Sequence, residues 1–259
     1  MNKDRMTPER NFDLIKTNFS AHSSDLLKEC FSNFLKKPVL YKEQFLQNKM
    51  NTVFDGYSFL GQEDSLNQYD TDLLHSFVLS EFSSKESFPV EFHNFFENEW
   101  SVLQKEIKKL ERKLISTLNI KGLEELYNHK IGHMVSCNYY PNTKNISAKN
   151  FEHRLSEHKD VSLFTVFVYG NSNGFCYKNT QGKNIKLGEI DQIVVFPGYL
   201  LEVLTKGKIK ATEHQVEFDK NNTEERFSFA FFSIPKPKET LELTGISSED
   251  YYQQYLDLF

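Results

Sequence analysis

Cysteine is scarce in this sequence. Among 259 residues only Cys30, Cys137 and Cys176 occur, an odd number without metal-type spacing. That argues against a disulfide framework or a zinc knuckle, and the three read as reduced core thiols. No apolar run approaches the roughly 18 residues a membrane helix needs, and the mean hydropathy is −0.55. The opening stretch, MNKDRMTPERNFD, is charged and has no apolar core, so a secretory signal is not expected. Nor is positive charge in excess: 31 basic against 36 acidic side chains give −5, which is no footprint for nucleic acid. These absences predict a soluble cytoplasmic protein with neither a nucleic-acid nor a membrane partner; a monomer is favoured.

Phenylalanine is abundant. With 24 Phe, 12 Tyr and one Trp, aromatic residues take over much of the core-filling usually left to Leu and Val. Apolar residues at 39% and charged residues at 26% are globular proportions, and the length allows a sizeable core.

The first half reads mostly as helix. Leu26, Leu27, Cys30, Phe31, Phe34 and Leu35 recur at three- and four-residue spacing until Pro38. A longer helix is predicted from Pro89 to Leu118, with Phe92, Phe96, Trp100, Leu103, Ile107, Leu110, Leu114 and Leu118 on one face. Glu97, Lys105, Lys108, Glu111 and Lys113 are assigned to its solvated side. Residues 51–80 read as a polar loop.

From Ile131 the period becomes alternating. Strands are predicted at 131–140, 161–169, 174–177, 192–196, 199–204, 211–218 and 226–233, with a short helix near 249–256. Strands following a helical half give an α+β plan. The expected division is a helical and loop region at 1–130 supporting a catalytic core at 131–259, as one compact unit.

Three polar features stand out among the strands. His158 and Asp160, at i and i+2, share a face, while Lys159 points away. His214 lies on a later strand. Arg226 and Ser228 share a face of the last strand, and Phe227, Phe229 and Phe231 occupy the other. Two imidazoles and one carboxylate can occupy one triangular face of an octahedral iron(II) and leave three positions open. An Arg and a Ser two residues apart suit the far carboxylate of a dicarboxylic keto acid. Each piece alone has an ordinary structural reading; their order and placement on strands make the combination specific.

These residues resemble those of a known family, the iron(II)/2-oxoglutarate dioxygenases of the isopenicillin N synthase-like group. Asn138-Tyr139-Tyr140-Pro141 is similar to that group's Asn-Tyr-Tyr-Pro strand end. His158-Lys159-Asp160 followed by Leu163-Phe164-Thr165 resembles its His–X–Asp strand. FPGYLLEVLTKGKIKATEHQV resembles the segment ending in its second histidine, and Arg226-Phe227-Ser228 its Arg–X–Ser. Asp55-Gly56-Tyr57 and the start of the long helix are similar to its amino-terminal region, whose usual first strand reads here as short or missing.

The resemblance implies a double-stranded β-helix, or jelly roll. It implies that His158, Asp160 and His214 are the catalytic metal ligands of Fe(II). Arg226 and Ser228 would hold 2-oxoglutarate, helped by Asn138 or Tyr140, with O2 as oxidant; a buried structural role for Tyr140 weighs equally. The implied reaction couples decarboxylation of 2-oxoglutarate to hydroxylation, desaturation or oxidative cyclisation of a small metabolite. Retention of Asp160 argues against halogenation, which would need a small residue there. Tyr, Asp and Gln in the 51–80 loop and the carboxy-terminal helix, the lid in similar enzymes, favour a polar, amino-acid-like or peptide-like substrate. Lys159, Tyr199 and Gln215 depart from the usual pattern, as does the absence of Gly two residues past Asp160, and mark a divergent member. The alternatives are an iron oxidase that does without 2-oxoglutarate and a non-catalytic jelly-roll binding protein.

Overall fold

The computed structural model describes residues 15–20, 24–50, 52–59, 72–142, 144, 153–170, 174–187, 192–218 and 224–258. Eleven strands among them form two antiparallel sheets. They are β1 (Ile15–Ser20), β2 (Gly56–Phe59), β3 (His75–Ser80), β4 (Ile131–Tyr140), β5 (His153–His158), β6 (Phe164–Tyr169), β7 (Phe175–Lys178), β8 (Asn184–Lys186), β9 (Gln192–Pro197), β10 (His214–Glu217) and β11 (Arg226–Pro235). The major sheet has the order β1-β9-β6-β11-β4-β3-β2, and the minor sheet β5-β10-β7-β8. This is the expected jelly-roll core with helices toward both ends.

Alternation on β11 explains how the layers pack. Phe229 and Phe231 are fully buried on the outer face of the major sheet, where Trp100, just before the long helix, meets Phe231 at 5.5 Å between ring centroids. Phe227 meets Phe31 of the helix Asp25–Leu35 at 6.2 Å. Ala230 instead joins Phe167, Phe175, Leu187, Val194 and Phe196 between the two sheets. Burying one Phe contributes on the order of 2–3 kcal/mol, so the aromatic excess is what fixes helices and sheets together.

Several expectations are corrected. Residues 51–80 are not simply loop: β2 and β3 lie there and extend the major sheet through β4. Their inner positions carry Ser58, Ser76 and Ser80, so polar residues mask a strand whose outer Phe77 and Leu79 are buried. The first strand, expected to be short or missing, is β1, paired with β9. The segment Tyr199–Leu204, predicted as a strand, is a helix starting after Gly198. Leu200, Leu201 and Leu204 bury one helical face, and Leu favours helix more than Tyr and Val suggest strand. The strand expected at 161–169 is β6 and begins at Phe164, while β5 and β8 occupy segments not predicted as strands.

The long helix is continuous only from Ser101 to Leu118; 3₁₀ and π turns, Val90–Phe92 and Phe96–Trp100, precede it. Glu111, assigned to its solvated side, is fully buried. Its Oε2 accepts the Tyr127 hydroxyl at 2.5 Å and lies 2.8 Å from His133 Nε2, so a polar triad sits between helix and sheet.

Candidate metal centre

His158 ends β5 and pairs directly with His214, which begins β10, so the two imidazoles enter the space between the sheets side by side. Their ring centroids are 4.2 Å apart. Asp160 sits outside the strands, in the crossing from β5 to β6. The side-by-side placement expected from strand alternation therefore comes from a turn instead. The donor atoms of His158, Asp160 and His214 all lie within 4.8 Å of one another, and the three residues are buried.

Backbone carbonyls orient both rings. His158 Nδ1 lies 2.8 Å from the carbonyl of Ser156, and His214 Nδ1 3.1 Å from that of Thr212. With Nδ1–H donating to these carbonyls, each Nε2 lone pair is directed at the shared centre. Thr165 donates to Asp160 Oδ2 at 2.6 Å and fixes the carboxylate. Burial pushes the His214 imidazole down to about 4, so it is neutral at pH 7. Burial acts in the same sense on His158, but the Asp160 carboxylate outweighs it and raises that imidazole. For Asp160, burial acts to raise the carboxyl; the nearby imidazoles, His214 first by charge, and the Thr165 hydrogen bond hold it below the usual carboxylate range. Two imidazole nitrogens and one carboxylate oxygen converging in this way are a donor set that suits iron(II).

The turn carrying Asp160 is clamped from two directions. The helix Tyr199–Leu204 offers its first amides: Tyr199 N donates to the Asp160 carbonyl at 2.7 Å and Leu200 N to that of Ser162 at 3.0 Å. Gly198 makes this approach possible, since a Cβ there would lie 2.2 Å from the Ser162 carbonyl oxygen. On the other side, Tyr251 and Tyr255 of the carboxy-terminal helix Ser248–Leu256 donate to the carbonyls of Val161 and Lys159. Sequence reasoning gave these tyrosines to a substrate lid; they are buried and bonded to backbone. Their spacing on one helical face was the available signal. The atypical Lys159 points away from the centre, as expected, and pairs with Glu202 at 3.0 Å. Tyr199 stacks on Tyr251 with centroids 6.1 Å apart.

Arg226 and Ser228 lie on the inner face of β11, opposite Tyr140 and Asn138 of β4. All four are nearly inaccessible, Asn138 the most exposed at 9%. The Arg226 guanidinium lies 4.8 Å from the Tyr140 ring centroid and donates to the Gly170 carbonyl at 2.8 Å. The Tyr140 hydroxyl is within hydrogen-bonding reach of Ser228 and Arg226, and burial raises its pKa. Its ring packs with Leu74, Leu155 and Val216, so it joins the two sheets as well as facing Arg226. Asn138 Oδ1 accepts from Ser136 Oγ at 3.2 Å. His133 is buried against Glu111. Arg154 is also buried and donates to the Glu224 carbonyl at 3.0 Å.

Residues 131–235 match the family model of the 2OG-Fe(II) oxygenase superfamily. Over 164 residues, 59% of this chain and 44% of the relative, the sequence is 25% identical to scopoletin 8-hydroxylase of Arabidopsis thaliana. Over 114 residues, 40% of this chain and 30% of the relative, it is 29% identical to a 2-oxoglutarate-dependent dioxygenase of Gibberella zeae. The chain thus spans less than half the length of either curated relative. Among solved structures, Neurospora crassa T7H in complex with alpha-KG has a TM-score of 0.69 at 20% identity, covering 94% of this chain and 86% of that one. JOX2 in complex with 2OG, Fe and JA has a TM-score of 0.72 at 20% identity, covering 95% and 78%. The fold is shared with both, and the family match bears out the resemblance to iron(II)/2-oxoglutarate dioxygenases. Among the described residues no helix is long and apolar enough to cross a membrane.

Proposed function

We propose that this chain, with the 2OG-Fe(II) oxygenase superfamily match across residues 131–235, oxidises a small polar metabolite using iron(II), 2-oxoglutarate and dioxygen. The observation that carries the proposal is the convergence of His158, Asp160 and His214 within 4.8 Å, in a chain that also buries Arg226 and Ser228 on the inner face of the major sheet. When bound, iron(II) with 2-oxoglutarate supplies dioxygen activation, coupled to formation of succinate and carbon dioxide.

The protein's residues have distinct tasks in this reading. His158 and His214 present Nε2 lone pairs, held in that tautomer by the Ser156 and Thr212 carbonyls. Asp160 supplies the one anionic ligand, oriented by Thr165. Arg226 gives a permanent cation for the distal carboxylate of 2-oxoglutarate and Ser228 a hydrogen bond to it. Tyr140 lies against the Arg226 guanidinium and keeps it from swinging. Phe175 and Phe196, with centroids 5.3 and 5.0 Å from that of His214, exclude water from its ring.

Hydroxylation, desaturation and ring closure all fit this arrangement, and the product decides among them. Iron-loaded protein incubated with 2-oxoglutarate and a polar-metabolite library tests the reading. Succinate formation stimulated by a metabolite is expected, with a product heavier by one oxygen or lighter by two hydrogens. Metabolite oxidation without succinate contradicts it.

A further inference from the structure

Asp72 is a fully buried carboxylate just before β3. Its Oδ1 accepts from both the backbone N and the Oγ of Ser156, at 2.8 and 2.6 Å. Its Oδ2 has no hydrogen-bond partner among the described residues. The segment lies along β5, since Leu73 N donates to the Arg154 carbonyl at 3.0 Å. Next along it, Leu74 packs with Tyr140, Leu155 and Val216 between the sheets. Ser156, which Asp72 holds, in turn presents its carbonyl to His158 Nδ1 at 2.8 Å, so Asp72 is one residue removed from the metal centre.

Two positions beyond Leu74 comes Ser76, 1% exposed, with an Oγ that is also partnerless among the described residues. Ser76 pairs with Asn138, which pairs with Ser228. Directly opposed residues project to the same side of a sheet, so one polar row runs from the Arg–X–Ser strand to β3. Two partnerless polar atoms, one on the residue that bonds the β5 strand carrying His158 and one in the row with Asn138 and Ser228, are unusual, because buried polar groups are normally satisfied.

We infer that Asp72 and Ser76 are specificity-determining residues that receive a substrate carrying an ammonium or amide N–H group. This deepens the proposed function and rests on it. Burial pushes the Asp72 carboxyl above its ordinary value against the opposing Ser156 bonds, and an ammonium placed beside it favours the ionised form, which can only accept hydrogen bonds; a hydroxyl can accept one as well as donate. A substrate –NH₃⁺ or –NH₂ can donate to either oxygen, whereas a substrate carboxylate beside Asp72 meets like charge. The bonds to Ser156 give Asp72 a structural duty too, but that duty uses Oδ1 alone and leaves Oδ2 unexplained.

The test uses full-length metal-loaded protein with excess 2-oxoglutarate, and reads the unfolding midpoint with benzylamine, n-butylamine and benzamide against benzoate and butyrate. The amines and the amide raise the wild-type midpoint by about 3 °C, as expected near tenfold excess over Kd, and the acids do not. Asp72→Asn, which keeps an oxygen for Ser156, loses the response to amines; Ser76→Ala, which breaks no side-chain hydrogen bond among the described residues, weakens it. A wild type stabilised by the acids, a wild type moved by no probe, or an Asp72→Asn protein with unchanged response overturns the inference. Succinate formation is followed in parallel. Metabolite oxidation without succinate would remove the oxygenase reading while an amine response lost in Asp72→Asn would stand, and metabolite-stimulated succinate with an unaltered Asp72→Asn response would remove this one.

Discussion

Tyr255, in the carboxy-terminal helix, donates its phenolic hydrogen to the main-chain carbonyl of Lys159 across 2.9 Å, next to the carboxylate that would ligate iron. Tyr251 does the same to Val161 on the other side of Asp160. The helix that closes the described chain therefore acts as a brace for Asp160, the one residue of the three that no strand holds. Replacing Tyr255 by Phe removes one hydrogen bond, worth about 1 kcal/mol. Iron affinity is expected to fall by about tenfold, typical of losing an outer partner of a ligand. Anaerobic iron(II) titration of the folded variant measures it, and an unchanged affinity would leave the helix with packing alone.

Gly170 occupies a left-handed conformation, φ +69°, and a Cβ there would lie 1.9 Å from the Phe227 carbonyl oxygen. Its own carbonyl accepts from Arg226. Gly170→Ala therefore carries at least the 1–3 kcal/mol cost of such a backbone for a side-chain-bearing residue, and it displaces the anchor of the guanidinium. Denaturant unfolding and 2-oxoglutarate titration are both expected to show a loss.

Glu111, His133 and Tyr127 form a buried polar group between the long helix and the sheet, and the more exposed Glu81 accepts from the His133 backbone N. Burial acts to lower His133, but Glu111, and after it Glu81, raise it above the usual histidine value near 6.5. A raised folded-state pKa stabilises fully below the unfolded value and is lost as pH rises through the folded one. Wild-type stability should accordingly fall with rising pH above about 6.5 relative to Glu111→Gln, whose pH profile is flatter. Glu111→Ala, which strands His133, is expected to cost about 3–5 kcal/mol, read by urea denaturation near pH 6.

Phe231 has no accessible surface and its ring meets Trp100. Phe231→Ala should destabilise by about 3–5 kcal/mol. Because Phe231 faces the helices and not the space between the sheets, iron affinity of the remaining folded protein should be unchanged.

Much of this was legible from residues alone, for identifiable reasons. β4 matches its predicted span and β11 exceeds it by two residues, because large apolar side chains alternate along both. His158 and His214 were legible as a pair because antiparallel strands bring such positions together. Long-range partners hid the rest. Glu111 looks solvated on a helical wheel, and only His133, 22 positions on, and Tyr127 account for its burial. The brace on Asp160 comes from tyrosines more than 90 residues later, whose composition suggested substrate contact. Tyr199–Leu204 was misread because aromatic and β-branched residues suggest strand where three leucines specify helix. The serines of β3 concealed a strand by lining its inner face, a pattern that polarity alone assigns to loop.

Anaerobic titration with iron(II) followed by 2-oxoglutarate tests the central claim most directly. Wild type should bind one iron per chain and then 2-oxoglutarate. His214→Ala should lose the iron, and Arg226→Ala should keep it while binding 2-oxoglutarate at least tenfold more weakly. A wild type that binds no iron, or a His214→Ala protein that binds it equally well, would contradict the account.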